Sequence, residues 1–145
     1  MRIFFDTSVL VPAVHEDHAN HAQAYALLNA VQNGKTEGWV GAHSLAETFA
    51  ILTKLPAALR LTQEQALLSI EENILKYFKV SALSASDYPA MLREAATARV
   101  SGGTIYDLIL LTNAIKSRAQ RVYTYNSRHF KALVPAGTKI ELIEP

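Results

Sequence analysis

The sequence predicts an α/β protein: a three-layer α/β/α arrangement in which a five-stranded parallel sheet lies between helices. Three observations predict it. Ile3, Phe4 and Phe5 form an unbroken run of apolar β-formers, as expected of a strand buried on both faces. Short strand-like runs then alternate with longer helical ones, and none of the strand-like runs are joined by a tight hairpin signal. Strands joined in this way need crossover connections, which are right-handed, and a parallel sheet follows. With 145 residues, half of them hydrophobic, the chain has the size of one ordinary domain, residues 1–145, and can bury a substantial core without staples.

Each element has its own signal. Asp6 ends the first strand, and a short helix follows that Pro12 is expected to interrupt. A polar link, His15 to His18, leads to a second helix from about Ala19 to Gln32, closed by Asn33 and Gly34 as helix C-termini often are. Gly38 to Ala42 reads as a second strand. Ser44 to Leu55 reads as an amphipathic helix with Leu45, Phe49 and Leu52 on one side, ended by Pro56. Thr62 to Phe78 is a long helix, Val80 to Leu83 a third strand, and Ser86 to Val100 a further helix. After Gly102 and Gly103, a strongly apolar helix runs from Thr104 to about Ala119. Val122 to Tyr125 makes a fourth strand, and Ile140 to Ile143 a fifth at one edge. No repeat, low-complexity tract or linker interrupts the series.

Composition removes several classes of function. The absence of cysteine excludes disulfides and thiolate metal sites. There is no signal-peptide core and no apolar stretch long enough to span a bilayer, so the expectation is a soluble, cytoplasmic protein. The net charge of +1 does not by itself point to a polyanionic partner; the distribution of charge says more.

Four oxygen-bearing side chains line up with the ends of these elements: Asp6 after the first strand, Glu47 in the helix after the second, Asp107 in the helix before the fourth, and Asn126 just beyond the fourth. In open α/β sheets, ligands bind beyond the carboxyl ends of the strands. Three carboxylates and an amide oxygen gathered there suit a hard divalent cation, Mg²⁺ or Mn²⁺. Such an ion acidifies a bound water and stabilises a leaving oxygen, which points to hydrolysis of a phosphate ester. Capping is the competing explanation. Asp6 can serve as an N-cap, and Ser44 with Glu47, Thr104 with Asp107, Ser84 with Asp87 and Thr62 with Gln65 all fit a capping box. Spacing alone leaves both open. Asp107 favours the site, because an acid in an otherwise apolar stretch reaching Leu111 needs a partner.

The segments FDTSVL at the start, HSLAETF around Glu47, TIYDLILL around Asp107 and VYTYNSRHF together resemble the PIN-domain ribonucleases, especially the VapC-type toxins of toxin/antitoxin pairs. The resemblance covers essentially the whole chain. It implies the five-stranded parallel sheet, a Mg²⁺-dependent endoribonuclease activity, and a cognate antitoxin that blocks the site. It also implies Asp6 and Asp107 as principal metal ligands, Glu47 as a direct or water-mediated one, and Thr7 or Ser8 together with Thr124 as residues that orient water or phosphate. One departure is Asn126, where the family often has an acid. An amide adds no charge, so a second ion is expected to bind more weakly than the first.

From Leu108 to Ile140 there is no acidic residue, while Lys116, Arg118, Arg121, Arg128, Lys131 and Lys139 are basic and Tyr123, Tyr125, His129 and Phe130 are interleaved with them. Cations that neutralise phosphates and aromatics that stack bases suit single-stranded nucleic acid. Arg128 and Lys131 are the expected RNA contacts, whereas Tyr123 and Phe130 also read as core, and Lys116 and Arg118 as favourable charges at a helix C-terminus. His15, His18 and His21 offer an alternative transition-metal site, with no second ligand cluster to support it. A haloacid-dehalogenase-like phosphatase needs a second Asp where Ser8 stands. A PIN domain without catalysis, acting as an RNA-binding or scaffold module, is the remaining alternative. Apolar helix surface over 46–59 and 66–77 predicts a homodimer and an antitoxin docked on these helices.

Overall fold

The computed structural model describes all 145 residues. Its sheet has five parallel strands, β1 (Arg2–Phe5), β2 (Glu37–Gly41), β3 (Lys79–Ser81), β4 (Arg121–Tyr123) and β5 (Glu141–Ile143), in the order β3-β2-β1-β4-β5. The chain builds outward from β1 to β2 and β3, then returns to the other side of β1 for β4 and β5. The carboxyl end of β1, between β2 and β4, is therefore where strand order reverses, and the crevice for a ligand opens there.

Pleating sends successive β1 side chains to opposite faces. Ile3 and Phe5 pack with Val9, Leu10, Leu28, Ile70, Ile74 and Phe78, while Phe4 packs with Leu110, Leu111, Ala114, Val122 and Phe130. The first face is covered by α1 (Thr7–Val14), α2 (His21–Gln32) and α4 (Gln63–Ile70), which continues as a π-helical turn over Glu71–Leu75. The second is covered by α6 (Thr104–Lys116) and α7 (Ser127–Lys131). α3 (Ala42–Leu52) joins α1 and α4 through Leu52, Val11 and Ala66, and α5 (Asp87–Thr97) leans on α6 through Met91, Ala95, Leu108 and Ile109. The three expected layers are present. No helix is long and apolar enough to cross a membrane.

Local expectations need correction at three elements. α1 is not interrupted at Pro12; it runs through to Val14, because a proline ring in so short a helix removes only the bond its N–H would have made to the Ser8 carbonyl. α3 starts directly from β2, with Gly41 as its cap, two residues before Ser44, and ends at Leu52. β4 stops at Tyr123, and the chain then forms α7, a five-residue helix too short to show a period in sequence. The end of α2 is as expected. Gly34 takes φ +69°, and the amides of Gly34 and Lys35 bond the carbonyls of Val31 and Ala30 in a Schellman motif.

Candidate active site

Asp6 stands at the cap position of α1, but its side chain does not cap the helix. Its Oδ2 instead accepts hydrogen bonds from Ser8 Oγ at 2.6 Å and Thr124 Oγ1 at 2.7 Å, across the β1–β4 boundary. The same hydroxyls are held in turn by backbone. The Tyr125 amide donates to Ser8 Oγ at 3.0 Å and the Asn126 amide to Thr124 Oγ1 at 2.9 Å. Asp6 is buried, and Thr124 wholly so. Both hydroxyls engage one carboxylate oxygen, which leaves Oδ1 available to another partner. Of the two neighbouring residues expected to orient water or phosphate, Ser8 is the one at the site; Thr7 is buried with a hydroxyl that finds no hydrogen-bond partner.

Asp107 lies in the first turn of α6, and it is not a cap either. The cap position is Gly103, and no side chain closes that end. Burial pushes the Asp107 carboxyl above the usual carboxylate range, and the charge of Asp6 pushes it further, with a smaller push from Glu47. His129, whose Nδ1 lies 3.7 Å from Asp107 Oδ2, pulls the other way. Glu47, on α3, is held by His43 Nε2 at 2.6 Å. Ser44 lies inside the helix, its carbonyl accepting from Thr48 Oγ1, so the box expected between Ser44 and Glu47 does not form. Thr62 and Gln65 show what a true box looks like at this spacing, with both reciprocal bonds made at 3.1 and 2.9 Å. Ser84 and Asp87 make half of one.

Asp6, Glu47 and Asp107 thus share one electrostatic field beyond the sheet's carboxyl edge. They do not close on a single point, and no three His, Asp or Glu side chains stand at metal-holding distance. The donor set fits a hard divalent cation nevertheless. Every donor is oxygen, Asp6 keeps one free carboxylate oxygen, and the charges of Asp6 and Glu47 add to the effect of burial in raising the Asp107 carboxyl, a repulsion that a cation relieves. Asn126 reaches this group only through its backbone amide. Its residue is exposed at the cap of α7, beside Arg128, His129 and Glu144.

The basic stretch divides. Lys116 pairs with Asp87 at 2.7 Å and Arg121 with Glu141 at 2.8 Å, while Phe130 is fully buried and Tyr123 packs edge-on against Phe5. Arg128 and Lys131 are exposed on α7 and make no ion pair. The three N-terminal histidines are spent on backbone: His15 Nε2 bonds the Leu59 carbonyl, His21 Nδ1 bonds the Pro12 carbonyl, and His18 Nδ1 accepts from the Asn20 amide. Sequence reasoning missed His43 and Tyr106. Their rings stack across α3 and α6, and no local pattern announces a pair formed between two helices.

An acid at the strand-order reversal of a five-stranded parallel sheet, with further acids from two flanking helices, defines a class. Residues 3–134 match the PIN domain family, and the chain belongs to it, as a VapC-type member. Ribonuclease VapC27 of Mycobacterium tuberculosis is 30% identical over 115 residues, 79% of this chain and 78% of that protein. Among solved structures, the Mycobacterium tuberculosis toxin VapC20, which cleaves the sarcin-ricin loop, superposes with a TM-score of 0.68 at 16% identity, covering 90% of this chain and 94% of that one. VapBC2 of Rickettsia felis, bound to a DNA fragment from its promoter, gives 0.66 at 20% identity over 99% and 98%. These two structures share the fold.

Proposed function

We infer that this chain is an endoribonuclease that hydrolyses RNA phosphodiester bonds at the site of Asp6, Glu47 and Asp107 with a divalent ion, Mg²⁺ or Mn²⁺, and that it is the toxin of a toxin/antitoxin pair. The observation that carries the reading is the gathering of Asp6, Glu47 and half-buried Asp107 beyond the strand-order reversal, close enough that burial and then the charges of Asp6 and Glu47 push the Asp107 carboxyl up. Its relatives support it, since VapC27 is a ribonuclease and VapC20 is a toxin that cleaves RNA.

Asp6 and Asp107 would hold the ion, with Glu47 direct or through water. When bound, the ion supplies Lewis acidity, polarising the phosphate and acidifying a water. Ser8 and Thr124 donate to one oxygen of the Asp6 carboxylate and fix its rotamer. Asn126 lends no charge. Arg128 and Lys131 meet the RNA backbone, where each phosphate contact adds salt-dependent affinity. Ile51, Leu67, Leu68, Leu75 and Tyr77 leave an exposed apolar surface on α3, α4 and the turn beyond, and this surface takes a second copy and the antitoxin.

Asn126, an exposed amide where the family often has an acid, favours a second reading, a catalytically weak PIN domain that binds RNA or acts as a scaffold. One experiment separates them. Purified protein and its Asp6→Asn variant are incubated with structured and unstructured RNAs, with Mg²⁺ or with EDTA. The enzyme reading expects cutting only by the parent in Mg²⁺. Cutting that survives EDTA or Asp6→Asn contradicts it, and binding without any cutting selects the second reading.

A further inference from the structure

His43 and Tyr106 stack in an offset parallel arrangement, with ring centroids 5.5 Å apart and planes within 1° of parallel. The two rings come from different helices, α3 and α6, and each adjoins one acid of the site. His43 Nε2 holds Glu47 at 2.6 Å, and Tyr106 immediately precedes Asp107. The rings close over a narrow cleft lined by Ser44, Ile109 and Asn113. Tyr106 is nonetheless 54% exposed, among the most exposed large apolar side chains in the protein. Burial therefore does not account for its place.

An exposed ring is ordinarily free to rotate; this one is held. Glu47 fixes the edge of the imidazole, and the imidazole fixes the face of the tyrosine. A rigid π-surface beside a phosphate-handling site matches what single-stranded nucleic acids stack on, because every base has a π-face. The alternative occupant, a protein partner, is better served by the aliphatic surface of α3 and α4, which carries no comparable flat pair. His129 of α7 also reaches Asp107, its Nδ1 3.7 Å from Oδ2, and Arg128, which makes no ion pair, precedes it on the same short helix.

We propose that the Tyr106–His43 pair is a base-stacking subsite that seats one unpaired nucleobase next to the bond being cut. The inference rests on the ribonuclease reading above. Tyr106 contributes affinity through its ring, and His43 is a positioning residue that keeps the ring in place.

The test uses an Asp6→Asn background, which leaves RNA uncut, and measures fluorescence anisotropy with two labelled probes: a short oligouridylate and a ribose-phosphate chain of the same length without bases. Adding Tyr106→Ala is expected to weaken oligouridylate binding about tenfold and to leave the baseless chain unchanged, while Tyr106→Phe restores the oligouridylate affinity. An unchanged oligouridylate affinity, an equal loss for both chains, or a loss that Phe does not restore overturns the subsite. So does a Tyr106→Ala protein that keeps its RNA affinity but loses a co-purifying protein partner, since the surface is then a protein interface. Cutting by the parent in Mg²⁺ is scored separately. A parent that neither cuts nor binds RNA overturns the ribonuclease reading as well, whereas a parent that cuts and fails only the Tyr106 comparison overturns the subsite alone.

Discussion

At Asp107 a carboxyl is held above its ordinary range first by burial and then by the negative charge of Asp6, with Glu47 adding to it. Folding therefore tightens its hold on a proton, and the sign of the pH dependence follows. The stabilisation that Asp107 contributes is fully present below the ordinary aspartate value of 3.8 and is lost as pH rises through the raised folded value. Asp107→Asn removes that loss. In EDTA at neutral pH the variant is expected to melt at the same temperature as the parent or higher, with the advantage gone in acid below about 3.8. It is also expected to lose Mg²⁺-dependent RNA cutting. A lower melting temperature at neutral pH with cutting intact returns Asp107 to a capping role, which is worth about 0.3 to 1 kcal/mol. Much of this site was legible residue by residue. Asp6 shows itself because it terminates a doubly buried strand, and Asp107 because it interrupts an apolar helix. The exposure of Asn126 and the orphaned hydroxyl of Thr7 were not legible, since both depend on which way a side chain turns after the chain has folded.

Among the elements, β2 shows how tightly α2 and the turn after α4 close on the sheet. A Cβ on Gly38 would meet Phe78 Cδ1 and Cε1 and Val31 Cγ1, each at 2.7 Å. The Phe78 ring has little room to yield, because it packs edge-on against Phe5 at 5.1 Å. Gly38→Ala is therefore expected to destabilise the protein by about 1–3 kcal/mol, read as a lower urea midpoint with an unchanged slope. A midpoint matching the parent's means that this contact relaxes freely. The order of strands and helices was legible because β1 is apolar throughout and the longer helices carry a period. The start of α3 was not. Ser44 has the chemistry of a cap, but β2 passes into α3 at Gly41 with no intervening loop, and Ser44 ends inside the helix. α7 escaped notice for another reason: five residues hold too few apolar positions to declare a helix, and only Phe130 among them is buried.

In the whole molecule, two surfaces stand apart: the acids beyond β1, and the apolar side of α3 and α4, where Leu67 is 50% and Leu68 60% exposed. If the second surface joins two copies, Leu68→Glu converts a dimer into a monomer in light scattering, because each subunit would bring a charge into an apolar contact. A parent that is already a monodisperse monomer at micromolar concentration contradicts the dimer. The first surface carries the central claim, that Asp6, Glu47 and Asp107 would hold a divalent ion and that the chemistry it would supply there is hydrolysis of an RNA phosphodiester by water. Two imidazoles stand nearby, His129 beside Asp107 and His43 beside Glu47, so acid–base attack by the RNA's own 2′-hydroxyl is the rival chemistry. The two routes leave different ends on the cut strand. The most direct measurement is end-group analysis of RNA cut in Mg²⁺: hydrolysis by water predicts linear phosphate ends with no cyclic product, whereas 2′,3′-cyclic phosphate ends that still form in EDTA would contradict the account.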